Sequence, residues 1–160
     1  MDTLSEIYQR YAHELYRFAL GLSGDPAWAE YLTAETFVRA LVSPNPIRTR
    51  TVKAYLVTIA RNLYLQAWRK ERRMMVLNEN LSDSRPGPER LAERQDELRA
   101  ILAGLQTLPE MDRTALLMRA QDELPYDVIA SVLGISLAAV KIKIHRARLK
   151  LAKIAKDSEP

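Results

Sequence analysis

Residues 126–148 read YDVIASVLGISLAAVKIKIHRAR. Within them Ala130, Gly134 and Val140 stand four and then six residues apart. That spacing suits two short helices meeting across a tight turn. A small residue lets the helices approach, and glycine takes the left-handed turn, where a Cβ would be strained. A β-branched residue then locks the second helix onto the first. Ile129, Leu133, Ile135 and Ile144 fill the remaining core. This is the helix-turn-helix arrangement, and it presents the N-terminal half of its second helix to a DNA major groove. From Ser136 to Lys156 the chain carries Lys141, Lys143, Arg146, Arg148, Lys150, Lys153 and Lys156, with no acid among them. Lys141, Lys143, His145 and Arg146 are placed to reach bases and phosphates. Ile142 is apolar and suits a thymine methyl. The alternative is a plain helical hairpin with a solvated basic face. The coincidence of the spacing with a helix of one charge sign favours the reader of DNA.

Outward from this unit, helical periodicity runs through the chain and strand signals are absent. The spacing predicts a first helix over 3–22, ended by Gly21 and Gly24, with Leu4, Ile7, Tyr8, Tyr11, Leu15, Phe18, Ala19 and Leu22 on one face. Asp25-Pro26 starts a second helix as N-cap and first helical residue. Its inward face is Ala29, Leu32, Thr33, Thr36, Phe37, Ala40 and Leu41. Ser43-Pro44-Asn45-Pro46 breaks it, and a short basic loop follows. The third helix covers 52–72 with Leu56, Ile59, Ala60, Leu63, Ala67 and Trp68 inward. Between Met74 and Pro88 the pattern fades into Asn, Ser, Asp, Pro and Gly, which reads as a flexible linker. The next helix spans 89–105 on Leu91, Leu98, Ile101, Leu102 and Leu105. Thr107-Leu108-Pro109-Glu110 reads as a capping box opening another. Pro125 begins a short helix to Leu133, and Ser136 caps the last, which runs to about Ala155. The expected fold is all-α: two small helical domains, 1–73 and 89–160, joined by a linker at 74–88.

Composition narrows the function. A formal charge of +4 is a weak pointer to nucleic acid, but the basic residues are clustered. The second cluster is Arg61, Arg69, Lys70, Arg72 and Arg73. The absence of cysteine removes disulfides and thiolate metal sites, and His13 and His145 lie far apart in sequence, so no metal or other cofactor is expected. No apolar run approaches the ~18–20 residues of a membrane span, and the N-terminus lacks a signal-peptide pattern. A cytoplasmic protein without direct membrane insertion is expected. Glu30, Glu35, Asp112, Asp122, Glu123 and Asp127 have no His or Cys partner in the pattern, and there is no glycine-rich phosphate loop. No enzyme site emerges.

Leu108-Pro109-Glu110-Met111-Asp112-Arg113, Leu124-Pro125-Tyr126-Asp127-Val128-Ile129-Ala130, Leu133-Gly134-Ile135-Ser136 and Val140 to Arg148 together resemble region 4 of extracytoplasmic-function sigma factors of the sigma-70 family. In that family this domain binds the minus-thirty-five promoter element and the polymerase flap. Ala29 to Ala40 resembles the region 2 helix that docks on the clamp of core RNA polymerase. Lys53 to Leu63 resembles the segment that recognises and melts the minus-ten element. The two halves occur in the right order across nearly the whole chain. The resemblance implies a sigma factor directing promoter-specific initiation, with core RNA polymerase, promoter DNA and an anti-sigma factor as partners.

Melting needs unstacked bases held by aromatic and polar groups while cations hold the backbone. Tyr55, Arg61, Asn62, Tyr64 and Trp68 lie on or near one helix, with Arg69 and Arg72 at its end. For Trp68, core and contact remain open. The loop 43–51, with Arg48 and Arg50, is where the family captures a flipped base. On the docking helix the family carries an acid where this chain has Tyr31, and a glutamine where it has Ala34. Trp28, Tyr31, Ala34 and Val38 then form an outward apolar stripe, flanked by Glu35 and Arg39, that suits a partner through apolar contact. On the last helix Leu137, Ala138, Ala139 and Ile142 replace more polar residues. Two alternatives stay open: a sigma-like domain that binds a regulator without promoter recognition, and a helix-turn-helix repressor.

Overall fold

The computed structural model describes residues 4–43, 51–77 and 96–157. Every element there is a helix: α1 Leu4–Ser23, α2 Pro26–Val42, α3 Val52–Leu77, α4 Asp96–Gln106, α5 Glu110–Ala120, α6 Tyr126–Leu133 and α7 Leu137–Asp157. The expected all-α class is what the described residues adopt.

The helix ends follow local chemistry. Ser23 and Gly24 close α1, and Gly24 takes the left-handed conformation at φ 74°. Gly21, expected to help end this helix, lies inside it instead. Asp25 Oδ1 accepts the Ala27 N–H at 2.9 Å and caps α2, with Pro26 in the first turn. The third helix continues to Leu77, past its expected end, so the first residues of the expected linker are helical. Residues 78–88, the rest of that linker, lie outside the described residues, as does Leu91.

The expected capping box at Thr107 does not form. The helix begins later, with Pro109 at its N-cap and no side-chain cap. Thr107 instead donates its hydroxyl to the Gly104 carbonyl at 2.7 Å, finishing α4, and Glu110 turns to other partners. Gly134 holds φ 67° between α6 and α7. Ser136 Oγ accepts the Ala139 N–H at 3.1 Å and starts α7.

Helices α1–α3 pack on one another around Leu15, Phe18, Leu22, Leu32, Leu56 and Ala60, all nearly or fully buried. Helices α5, α6 and α7 enclose Met118, Ile129, Val140 and Ile144. Burial of such a side chain stabilises by about 1.5–3 kcal/mol. Leu41 and Ile101, expected inward, are largely exposed, at 61% and 58%. Leu41 falls in the last turn of α2, and Ile101 faces away from the buried pair Leu102 and Leu105. Ala54, Val57 and Tyr64 are buried beyond the expected set.

The two groups of helices share one core. A Cβ on Gly21 would come within 2.7 Å of the Leu117 side chain, so glycine is what lets α1 and α5 touch. The exposed carbonyls at the end of α1 are met by the other half. Gln106 Nε2 donates to Gly21 O at 3.0 Å, and Arg113 donates to Leu22 O and to Gln106 Oε1. Gln121 Nε2 reaches Glu14 O at 3.3 Å.

Candidate nucleic-acid interface

The turn after Leu133 throws α7 out at 100° to α6. Ile129, Leu133, Val140, Ile144 and Ala147 anchor α7 inward, and this period leaves Lys141, Ile142, His145 and Arg146 exposed on the other side. Leu137 and Ala138 are exposed on the first turn of the same helix. Tyr126, at the start of α6, stacks under the Arg119 guanidinium at 4.4 Å, with the Lys141 ammonium 5.9 Å from the ring.

The basic face is braced from behind by one acid. Asp112 on α5 is 1% exposed. It accepts a forked pair of hydrogen bonds from Arg146, at 2.8 and 2.9 Å, and Lys143 Nζ lies at 3.6 Å. Burial pushes the Asp112 pKa up, but the hydrogen bonds and charge of Arg146 and the charge of Lys143 outweigh it and hold it below the ordinary range. Lys143 and Arg146 are therefore oriented by α5. Lys150 Nζ is bonded to Thr107 O at 2.9 Å.

On the other half, Tyr55 and Asn62 line an open groove of about 420 Å³ with Arg39, Val42, Ser43, Ile59, Leu63 and Gln66. The groove lies at the end of α2, where the loop carrying Arg48 and Arg50 begins. Those two arginines lie outside the described residues. Arg69 and Arg72 are exposed at the far end of α3. Trp68 is 40% exposed and carries Arg72 over its ring at 4.6 Å, so it belongs to the surface more than to the core. Arg61 is turned away from this group. Its side chain is only 12% exposed and forks onto Glu110 of α5 at 2.8 and 3.0 Å.

Along α2, Tyr31, Ala34 and Val38 are exposed as expected, and Leu41 and Val42 extend the stripe. Trp28 is partly buried instead, its ring edge-on to Tyr64 at 5.6 Å. Glu35 and Arg39 pair across one turn at 3.3 Å. Two features had no sequence signal: Asp112 as the brace of α7, and Asp122. Asp122 is buried beside Glu14 and Lys53, and one of its oxygens has no hydrogen-bond partner. Burial raises its pKa to about 7.

A basic helix-turn-helix, and a second group of helices with an exposed aromatic and basic helix, are the surfaces of a nucleic-acid-binding class of protein. Comparison with known families is more specific. Residues 7–74 match Sigma-70 region 2, and residues 98–151 match Sigma-70, region 4. The chain is 32% identical over 151 residues to the ECF RNA polymerase sigma factor SigM of Bacillus subtilis, covering 93% of each chain. It is 32% identical over 156 residues to the ECF RNA polymerase sigma factor SigE of Mycolicibacterium smegmatis, covering 94% of this chain and 61% of that one. Its fold is similar to that of the sigma factor RpoE of Bartonella quintana, solved in complex with the anti-sigma factor NepR. There the TM-score is 0.81, with 22% identity, 97% of this chain and 98% of the other. The chain belongs to the extracytoplasmic-function sigma factors of the sigma-70 family. As such it is a DNA-binding factor of transcription initiation, and it directs promoter-specific initiation by core RNA polymerase.

Proposed function

We propose that this sigma factor divides its work between the halves 1–73 and 89–160, with 74–88 between them. The reading rests on one observation above the others: α7 exposes a basic face while its apolar side is locked onto α5 and α6 and its cations are oriented by Asp112. Lys141, Ile142, Lys143, His145 and Arg146 read the minus-thirty-five element in the major groove, with Lys141 and Lys143 giving phosphate neutralisation and Arg146, two of whose nitrogens are held by Asp112, offering its remaining nitrogen. Tyr55 and Asn62, with the groove they line, hold unstacked bases of the minus-ten element. Arg48, Arg50, Arg61, Arg69 and Arg72 supply cations along its backbone. Tyr31 and Val38, with Trp28 at their edge and the Glu35–Arg39 pair beside them, dock on core polymerase.

The chain performs no covalent chemistry, and strand separation is driven by binding energy to exposed bases. Among the described residues no single helix is long and apolar enough to cross a membrane. As a partner of core polymerase the chain works in the cytoplasm. An anti-sigma factor is its regulator by analogy with the Bartonella quintana complex.

Run-off transcription with bacterial core polymerase and a pool of promoter fragments tests the reading. Specific transcripts that depend on the chain are expected. Absence of any binding to core refutes it and leaves the sigma-like domain that binds a regulator.

A further inference from the structure

The contact between Arg61 and Glu110 joins two regions 49 residues apart in sequence. Arg61 belongs to the helix proposed to hold the minus-ten element. Glu110 opens the helix that braces the minus-thirty-five reader. The guanidinium fork takes a carboxylate and a phosphate in the same two-pronged geometry. Here both prongs are used by Glu110, and the pair is largely shielded, with side-chain exposures of 12% and 23%. Thr114 also donates to Glu110 Oε1 at 2.8 Å and fixes the carboxylate. Burial pushes the Glu110 pKa up, but the bonds from Arg61 and Thr114 and the charges of Arg61 and Arg113 bring it below the ordinary range, so the acid stays charged.

Geometry adds a second constraint. Arg61 grips residue 110 and Arg146 grips residue 112 of the same helix, separated by about 3 Å of axial rise. The two promoter elements are, by their names, about 25 base pairs apart, roughly 85 Å of B-form duplex at ~3.4 Å per step. Two readers clamped to one helical turn cannot reach both.

We propose that Glu110 is an internal stand-in for DNA phosphate, closing the chain onto Arg61 so that the halves must part before both promoter elements are engaged. This inference rests on the sigma reading above for the role of Arg61 in DNA binding. The closed form itself rests on the Arg61–Glu110 contact, with the α1–α5 contact at Gly21 and Leu117 and the Gln106 and Arg113 hydrogen bonds beside it. Opening frees Arg61 for the promoter and leaves Glu110 with Thr114. The Asp112–Arg146 pair lies within one half and is untouched.

The chain has no cysteine, so spin labels at Gln9→Cys and Lys156→Cys report the distance between the halves in the full chain. Short distances are expected for the parent chain without polymerase. Glu110→Gln keeps the shape of the side chain and removes its charge, and should raise the open-to-closed ratio roughly tenfold. Arg61→Gln should do the same, and the double variant should be no more open than either single one, because they break one contact. Retained helical circular dichroism confirms that each variant is folded. Unchanged distances in both single variants, or strictly additive opening in the double variant, overturn the clasp. A second arm tests the exchange with DNA. Glu110→Gln should tighten promoter-duplex binding about tenfold, and the double variant should lose that gain. Loss of the gain in Glu110→Gln with the distances still shifted sinks the DNA role of Arg61 while the clasp stands.

Discussion

Replacing Asp122 with Asn should flatten part of the pH dependence of stability. Asp122 lies buried where the turn after α5 meets α1 and α3, beside Leu15, Leu56 and Val57 as well as Glu14 and Lys53. Burial raises its pKa from 3.8 to about 7, the Glu14 charge adds to the rise, and Lys53 and Arg17 oppose it. The folded state therefore binds the proton more tightly than the unfolded chain. The penalty for carrying the charge is absent below about pH 4, grows between about pH 4 and 7, and is complete above 7. At about 1.4 kcal/mol per tenfold change in proton affinity, the full penalty is on the order of 4 kcal/mol, and about 2–3 kcal/mol of it falls between pH 5 and 8. Asn has nearly the same shape and does not titrate. Urea unfolding of the parent chain and of Asp122→Asn at pH 5 and pH 8 measures the difference. The variant should gain about 2–3 kcal/mol on the parent between those two conditions. Glu110 and Asp112, whose lowered values act with the opposite sign, are present in both proteins and cancel. Parallel stability curves for the two proteins would refute the assignment of a buried, reluctant carboxylate.

Three further outcomes are expected. Ile144→Ala empties a position that is 1% exposed under α7, and should cost about 2–5 kcal/mol in denaturant unfolding. Lys141→Ala should weaken binding of minus-thirty-five duplex and reduce the slope of log affinity against log salt by about one if the ammonium contacts a phosphate, as electrophoretic titration at several salt concentrations would show. Tyr31→Asp places a charge in the exposed α2 stripe and should weaken binding to core polymerase by tenfold or more, an apolar anchor being worth about 1–3 kcal/mol; unchanged affinity in a pull-down titration rejects the stripe as the docking face.

The helix-turn-helix was legible because its determinants are local. Ala130, Gly134 and Val140 meet within one turn of chain, so spacing alone carries the geometry. The Asp25-Pro26 start of α2 was readable for the same reason. Thr107 and Glu110 have the spacing of a capping box, but each found another partner: Thr107 a carbonyl three residues back, Glu110 an arginine 49 residues away. Nothing in periodicity announces such a competitor. Leu41 and Ile101 sit at positions where helical period alone predicts burial, and only the arrangement of neighbouring helices decides otherwise. Trp28 was placed outward with Tyr31 by the same period, and its contact with Tyr64 on α3 turned it inward. The brace at Asp112 was invisible because an acid on one helix and a cation on another, 34 residues later, leave no joint signature.

The unmet carbonyls at the end of α1 give the molecule a history as well as a shape. Gly21 and Leu22 wait for Gln106 and Arg113, residues 85 and 91 positions later. At a synthesis rate of about 5–20 residues per second, roughly 5–20 s separate the emergence of Leu22 from that of Arg113. Only once Leu77 has emerged are the first three helices all present with this rim unmet, and the 36 residues from there to Arg113 leave about 2–7 s of that interval; a nascent chain then offers its proposed polymerase-docking half before it can close.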